Sequence, residues 1–154
     1  MIDPTSPSET VPDTFHPKSR GQRSEAAVLQ ILVEHGLTVL QPFGDNERYD
    51  LVVEENPDFY RLQVKTGRLE NGRVQFDTRS SGTLTRSVEK ETYEGQIDQF
   101  VVYAPELREA FVVAVEQAPE TTMGLRVADA KKSSPNINRA DEFEIDDWIA
   151  SIES

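Results

Sequence analysis

The chain contains no cysteine among its 154 residues. That excludes a disulfide-stapled fold, a thiol nucleophile and any zinc or iron–sulfur centre built on thiolates. Long hydrophobic runs are also missing. The longest unbroken apolar stretch is Ala110–Val115, far short of the ~20 residues that a membrane-spanning helix needs. No basic stretch followed by an apolar one opens the chain, so nothing reads as a secretory signal. The expectation is a soluble intracellular protein, cytoplasmic and without a membrane partner. With 36% hydrophobic residues, a chain of this length is expected to form one domain around a modest core.

Lysine is scarce too, and arginine supplies most of the positive charge. Against 16 Lys plus Arg stand 28 Asp plus Glu, a formal net charge of -12. Such a balance first argues against a nucleic-acid partner, because phosphate binding needs a basic surface. An acidic excess with few lysines, however, resembles the cytosolic proteins of organisms that accumulate molar salt. On that halophile reading, total charge reflects the solvent more than the partner. Its distribution is more telling. Residues 61–90 carry Arg61, Lys65, Arg68, Arg73, Arg79, Arg86 and Lys90 against only Glu70, Asp77 and Glu89, while the segments on either side are strongly acidic. One stretch has stayed basic inside an acidic chain, and an anionic ligand is expected there.

Residues 1–18 hold four prolines and many Ser, Thr and Asp without apolar periodicity, and read as a disordered or flexible tail. Residues 19–154 form the expected domain. Val28, Ile31, Leu32 and His35 fall on one helical stripe that Gly36 closes, so a helix is expected over Ser19–His35. Strands are expected at Thr38–Pro42, Tyr49–Glu54 and Phe59–Thr66. In the last of these Phe59, Arg61, Gln63 and Lys65 alternate with Tyr60, Leu62 and Val64. Asn71-Gly72 is a hairpin turn signal, so Arg73–Thr78 is expected to pair antiparallel with the preceding strand. Ser80–Glu91 reads as a polar loop. Further strands follow at Phe100–Tyr103, Phe111–Val115 and around Leu125–Val127. Ile145, Trp148, Ile149 and Ile152 mark a C-terminal helix. Helix, strands, then helix indicates an α/β or α+β sandwich around a mixed sheet.

Three features could carry chemistry. Glu25 lies three residues before Val28, on the stripe expected to be buried. Asp50 opens an apolar strand directly after a turn. Gln63 and Lys65 share one face of the next strand, since side chains two apart point the same way. Together they suit Mg²⁺ (with Mn²⁺ as an alternative), which takes a few oxygen ligands and keeps waters. Asp50, the Gln63 side-chain oxygen, the Val64 carbonyl and Glu25 would be its ligands. Lys65 would orient a metal-bound water and stabilise charge on a phosphate under attack. Each residue has a plainer reading: a turn aspartate, a helix-start glutamate favoured by the dipole, a solvated lysine. It is their conjunction that points to a site. His16 and His35 are too isolated for a metal centre, and nucleophile-elbow glycines for a Ser-His-Asp hydrolase are missing.

Gly21-x-x-Ser24-Glu25, then Arg48-Tyr49-Asp50-Leu51-Val52-Val53, then Arg61-Leu62-Gln63-Val64-Lys65-Thr66-Gly67 resembles the PD-(D/E)xK nuclease superfamily. Within it the chain looks like the group I intron-associated homing endonuclease family and its archaeal relatives. Tyr93-x-x-x-Ile97-Asp98-x-Phe100-x-x-Tyr103-x-Pro105 and Asn138-Arg139-Ala140-Asp141 extend the likeness across Ser19 to Phe143. The resemblance implies a restriction-endonuclease-like core, a mixed central β-sheet flanked by helices. It implies Asp50 as the metal-binding aspartate, Glu25 as the acidic residue of the first helix and Lys65 as the catalytic lysine. Gln63 stands where most of the superfamily has Glu or Asp, which removes a charge and a strong ligand. The intron-associated branch is known for Gln at this place. Tyr49 stands where the motif has Pro.

The basic residues Arg61, Arg68, Arg73, Arg79 and Arg86 would then contact phosphates beside the scissile bond, although each could instead pair with a surface acid. The expected activity is Mg²⁺-dependent hydrolysis of DNA phosphodiesters, homing-endonuclease-like. A junction-resolving nuclease, a nuclease-fold protein that binds DNA or another protein without cutting, and an acidic partner-binding domain are the competing readings. Cutting both strands of a duplex needs two sites, hence an expected homodimer or higher assembly.

Overall fold

The computed structural model describes residues 17–44, 46–79, 95–127 and 137–154. The first helix, α1, spans Pro17–Glu34 and so begins inside the segment read as a tail. Proline suits a first helical position, because its fixed φ is already helical and its missing N–H would have no partner there. Ser24, Val28 and Leu32 form the buried stripe, at the i, i+4, i+8 spacing of one helix face. Gly36 at φ +83 ends the helix, a conformation that side-chain-bearing residues resist.

Eight strands follow: β1 Thr38–Leu40, β2 Leu51–Glu55, β3 Asp58–Thr66, β4 Arg68–Glu70, β5 Arg73–Asp77, β6 Gln99–Ala104, β7 Glu109–Ala114 and β8 Thr122–Arg126. Helix α2, Ile145–Glu153, closes the chain. The strands build a five-stranded sheet in the order β1-β2-β3-β6-β7 and a three-stranded sheet in the order β4-β5-β8. In the larger sheet only β3 and β6 are parallel; their register sets Gln63 against Phe100 and Lys65 against Val102. The mixed sheet and its flanking helices form the expected restriction-endonuclease-like core.

The alternation of β3 divides the interior in two. Leu62 and Val64 point into a core with Leu51, Val53, Val101 and Val112, covered by Val28 and Leu32 of α1 and by Ile145 and Ile149 of α2. Trp148 of α2 meets Tyr60 edge-on, ring centroids 5.6 Å apart, a favoured aromatic geometry. On the other face Phe100, Val102, Phe111 and Val113 pack against Val74, Phe76, Met123 and Leu125 of the small sheet. The small sheet therefore covers the β6–β7 half of that face, and Gln63 and Lys65 come up beside it.

The hairpin differs from the sequence expectation. Asn71 (φ 54) and Gly72 (φ 74) make the turn, but β5 pairs through it with the short β4, Arg68 facing Gln75, and on its other side with β8. It does not pair with the long strand β3. The break falls at Gly67, which donates its N–H to the Tyr103 carbonyl at 2.8 Å and lies where the two sheets touch. A methyl group there would stand 2.5 Å from Val74 Cγ1 and 3.0 Å from Val102 Cγ1. The outer strands of one apparent hairpin are thus sent into different sheets. The loop expected over Ser80–Glu91 lies outside the described residues.

Gly67→Ala should overpack this contact and destabilise the fold by about 1–3 kcal/mol, lowering the thermal midpoint by roughly 3–10 °C. A midpoint equal to that of the parent in a calorimetric scan would show that the sheets can separate to admit the methyl group.

Candidate active site

The β2–β3 ladder ends at the pair Leu51 and Leu62, and Asp50 continues it by other means. Its backbone N–H donates to the Leu62 carbonyl at 2.8 Å. Its carboxylate Oδ2 accepts the Val64 N–H, also at 2.8 Å. Alternate peptide groups of a strand face the same neighbour, so the Val64 carbonyl is directed to this same edge, past the end of β2. One aspartate thereby marks the strand end, holds β3 and borders the space beyond.

That space is a cleft of about 280 Å³ lined by Glu25, Gln41, Pro42, Gly44, Glu47, Tyr49 and Asp50. Glu25 reaches it from α1. It sits at the margin of the helix's buried stripe, half-buried, while Ser24 takes the buried place. Ser24 and Thr66 share a hydroxyl hydrogen bond of 2.6 Å, which ties the start of α1 to the end of β3 and sets where Glu25 enters the cleft.

Lys65 lies on the opposite face of β3 from Val64. Its Nζ donates to the Arg79 carbonyl at 3.1 Å and stands 6.0 Å from the centre of the Phe100 ring, within cation–π range. Gln63 shares that face of β3; its place in the group follows from strand periodicity rather than from a contact.

The charges of the group are under tension. Burial raises the Asp50 carboxyl above its ordinary value, against the opposing pull of the Val64 N–H and of Lys65. Burial also raises Glu25, and the nearby Asp50 charge raises it further. Lys65 is lowered by burial, with Arg79 adding to the effect and with Asp77 and Asp50 opposing it. Two acids raised by burial in one cleft, Glu25 raised further by the Asp50 charge, form a place where added positive charge is favourable. The carboxylates that Glu25 and Asp50 bring to the cleft are hard oxygen donors, and the Val64 carbonyl is directed to the same edge. No group of three or more His, Cys, Asp or Glu side chains able to hold a metal ion occurs among the described residues. Hard oxygens of this kind would suit a divalent cation that keeps several of its waters.

A sequence profile of the PD-(D/E)XK endonuclease family matches residues 15–146. The chain belongs to that family. As a PD-(D/E)XK protein it is a nuclease, a hydrolase. A similar solved structure is the bacterial homing endonuclease I-Ssp6803I, with a TM-score of 0.75 and 24% identity, covering 90% of this chain and 95% of that one; at this identity the likeness establishes the fold. No curated protein matches the chain in sequence.

The arginines expected to meet phosphate have separate fates. Arg61 is bound up with Asp98, its backbone N–H and its Nε both donating to Oδ2, at 2.7 and 3.1 Å, and its guanidinium also reaches the Gly95 carbonyl at 3.1 Å. Arg68 and Arg73 stand exposed on the outer face of the small sheet. Arg79 is exposed and pairs with Asp77 at 3.1 Å. Arg86 lies outside the described residues. Sequence reasoning assigns no role of their own to Asp77, Ser24 and Arg126. Arg126 lies directly across from Arg73 in the β5–β8 register, and no sequence spacing announces a partner that distant. His35, set aside as a ligand, joins the helices by meeting Asp146 at 3.3 Å. Among the described residues no helix is long and apolar enough to cross a membrane.

The carboxylates fall into two groups with opposite effects on stability. Glu25 and Asp50 have raised pKa values in the fold, so their contribution is present below the ordinary carboxylate range and lost as pH rises through the raised values. Asp77 and Asp98 are lowered, since hydrogen bonds from Arg79 and Arg61 outweigh their desolvation; their contribution is present above the ordinary range and lost as pH falls through the lowered values. Asp50→Asn keeps an oxygen for the Val64 N–H and removes the charge. Without divalent cations, this variant should melt above the parent at pH 7, and the difference should shrink towards pH 4. Addition of Mg²⁺ or Ca²⁺ should raise the parent's midpoint and leave the variant's unmoved. A variant that melts below the parent at pH 7 would show that the Asp50 charge is satisfied within the fold.

Proposed function

We propose that the chain is a Mg²⁺-dependent DNA endonuclease, homing-endonuclease-like in choosing its site, in which Asp50, Glu25, Gln63 and Val64 hold the cation (Mn²⁺ being an acceptable substitute) and Lys65 is the catalytic lysine. The observation that carries this reading is the shared cleft of Glu25 and Asp50, each acid raised by burial and Glu25 raised further by its neighbour. A divalent cation bound there supplies positive charge for the phosphate and makes a coordinated water more acidic. The chain's own residues do the rest. Asp50 is held in place by two hydrogen bonds to β3. Lys65 brings an ammonium on a packed stem to the face where negative charge grows on the phosphate oxygens. Hydrolysis forms one phosphorus–oxygen bond to water and breaks one to a sugar oxygen; the attacking water gives up a proton to solvent, and the leaving sugar oxygen takes one up.

The outer face of the small sheet supports the choice of DNA. Arg73 and Arg126 are direct cross-strand partners, an arrangement of like charges that is unfavourable by itself and favourable under a phosphate. Gly124 leaves space beside them; a Cβ there would lie 3.4 Å from Arg73 Cδ. Arg68 shares this face, because it is paired with Gln75 across β4–β5. Arg68 and Arg73 are therefore the phosphate contacts we favour, with Arg86 a further contact proposed from the sequence alone. Arg61 would have to leave Asp98, and Arg79 its pairing with Asp77, to serve. One active site nicks one strand, so duplex cleavage calls for a homodimer or higher assembly. Gln63 favours a second reading, a DNA-binding protein that does not cut, since a neutral amide holds the cation less strongly than a carboxylate.

The test uses supercoiled plasmid and a four-way junction in high KCl, the solvent that the acid-rich composition suggests, with Mg²⁺ against Ca²⁺ and EDTA. Nicking should require Mg²⁺ and should fall at least ~100-fold in Lys65→Ala and in Asp50→Ala. Preference for the junction would move the reading to a resolving nuclease. DNA binding without any cleavage, on plasmids that include the chain's own genomic surroundings, would establish the non-cutting alternative.

A further inference from the structure

Lys65 is steered by a carbonyl from another sheet, and three consecutive residues are locked to deliver it. Asp77 ends β5, opposite Thr122 of β8. Its Oδ1 accepts the backbone N–H of Arg79 at 2.9 Å, the two-residue reach of an Asx turn. The guanidinium of Arg79 closes the same loop, with Nε 3.1 Å from Oδ1 and Nη2 3.3 Å from Oδ2. Between them the buried Thr78 donates its N–H to the Thr121 carbonyl at 2.8 Å and its hydroxyl to the Pro119 carbonyl at 2.7 Å. Asp77, Thr78 and Arg79 are thus each fastened, and the Arg79 carbonyl emerges 3.1 Å from Lys65 Nζ.

An ammonium on a four-carbon stem has many orientations. A packed ring beneath it and a fixed acceptor beside it reduce them, and positioning of this kind is worth large factors in rate. The small sheet packs its apolar face against the β6–β7 half of the main sheet. This turn gives it a polar connection to the candidate active site.

We propose that Asp77 is a positioning residue for the catalytic lysine: by folding the 77–79 turn it aims the Arg79 carbonyl at Lys65 Nζ and holds the ammonium over Phe100. The proposal rests on Lys65 acting in cleavage, as argued above. It assigns Asp77 no contact with DNA, cation or the reacting atoms. Geometry rather than charge is its essential property, because Asp77 is exposed and its ion pair with Arg79 is one that solvent screens.

Three variants separate these properties. Asp77→Asn keeps the acceptor for the Arg79 N–H and loses the charge; Asp77→Glu keeps the charge and displaces the acceptor by a methylene; Asp77→Ala loses both. Single-turnover cleavage of bound plasmid should fall about 10- to 100-fold in the Ala and Glu variants and stay within about threefold of the parent in the Asn variant, while DNA affinity measured with Ca²⁺ changes little in all three. Brief acetylation with acetic anhydride, read by peptide mass spectrometry, gives a measure independent of cleavage. Labelling of Lys65 relative to Lys18 should rise several-fold in the Ala and Glu variants and not in Asn. Should Asp77→Ala melt below the assay temperature, the Glu and Asn pair carries the comparison. Parent-like cleavage and labelling in Asp77→Glu, or equal loss in Asn and Ala, would overturn the proposal, as would a loss confined to DNA affinity. Full cleavage by Lys65→Ala would instead overturn the assignment of Lys65, with the labelling result still reporting on the turn.

Discussion

The carboxylate of Asp50 takes over a backbone's task where the β2–β3 ladder stops, accepting the Val64 N–H at 2.8 Å. A water molecule could satisfy that N–H equally well, but it would leave the end of β2 free to move relative to β3. With Asp50 in place, the strand that carries Gln63, Val64 and Lys65 has a defined edge, and the aspartate itself lines a cleft shared with Glu25. The constraint acts in both directions: β3 fixes the aspartate, and the aspartate fixes which peptide of β3 lies beside the cleft.

The side chains of this group are a poor set of neighbours for one another. Two acids are raised and a lysine is lowered, in each case first by burial. A fold selected for stability alone would place these side chains in water. The opposite arrangement appears at Asp98 and Asp77, which are lowered by arginine partners and serve as joints, one between β3 and the approach to β6, the other within the turn beside Lys65. Similar residues therefore have different tasks according to whether their charge is matched inside the fold, and the unmatched ones mark the site.

The positive charge of the central segment is divided by the same logic. Arg61 is used inside the fold, and Arg79 is shared between Asp77 and solvent. Arg68 and Arg73 remain on an outer sheet face, where Arg126 joins them across a strand pair. In a chain whose net charge is -12, long-range attraction of DNA is weak. Recognition then depends on close, hydrogen-bonded contacts, for which a guanidinium is better shaped than an ammonium.

Local order was legible in the sequence because it is written in short periods. The 3.6-residue stripe of α1 and the alternation of Phe59–Thr66 identified the helix and the strand, Asn71-Gly72 identified the turn, and the two-residue spacing of Gln63 and Lys65 put them on one face. Glu25 and Asp50 stand out by their places on the helix stripe and at a strand start, and the family resemblance joins them, although no spacing in the chain shows that they meet. What the sequence could not determine was pairing between distant segments. The strand after Asn71-Gly72 leaves β3 because Gly67 lets two sheets touch where a side chain would hold them apart. Arg61 is taken from the phosphate-binding set by an aspartate 37 residues away. Arg126 joins Arg73, and Asp77 comes to serve Lys65, only once β8 and the small sheet are in place. Side-chain direction along one strand follows from the backbone repeat alone; which charges face one another depends on how separate strands pack, and only the tertiary structure decides that.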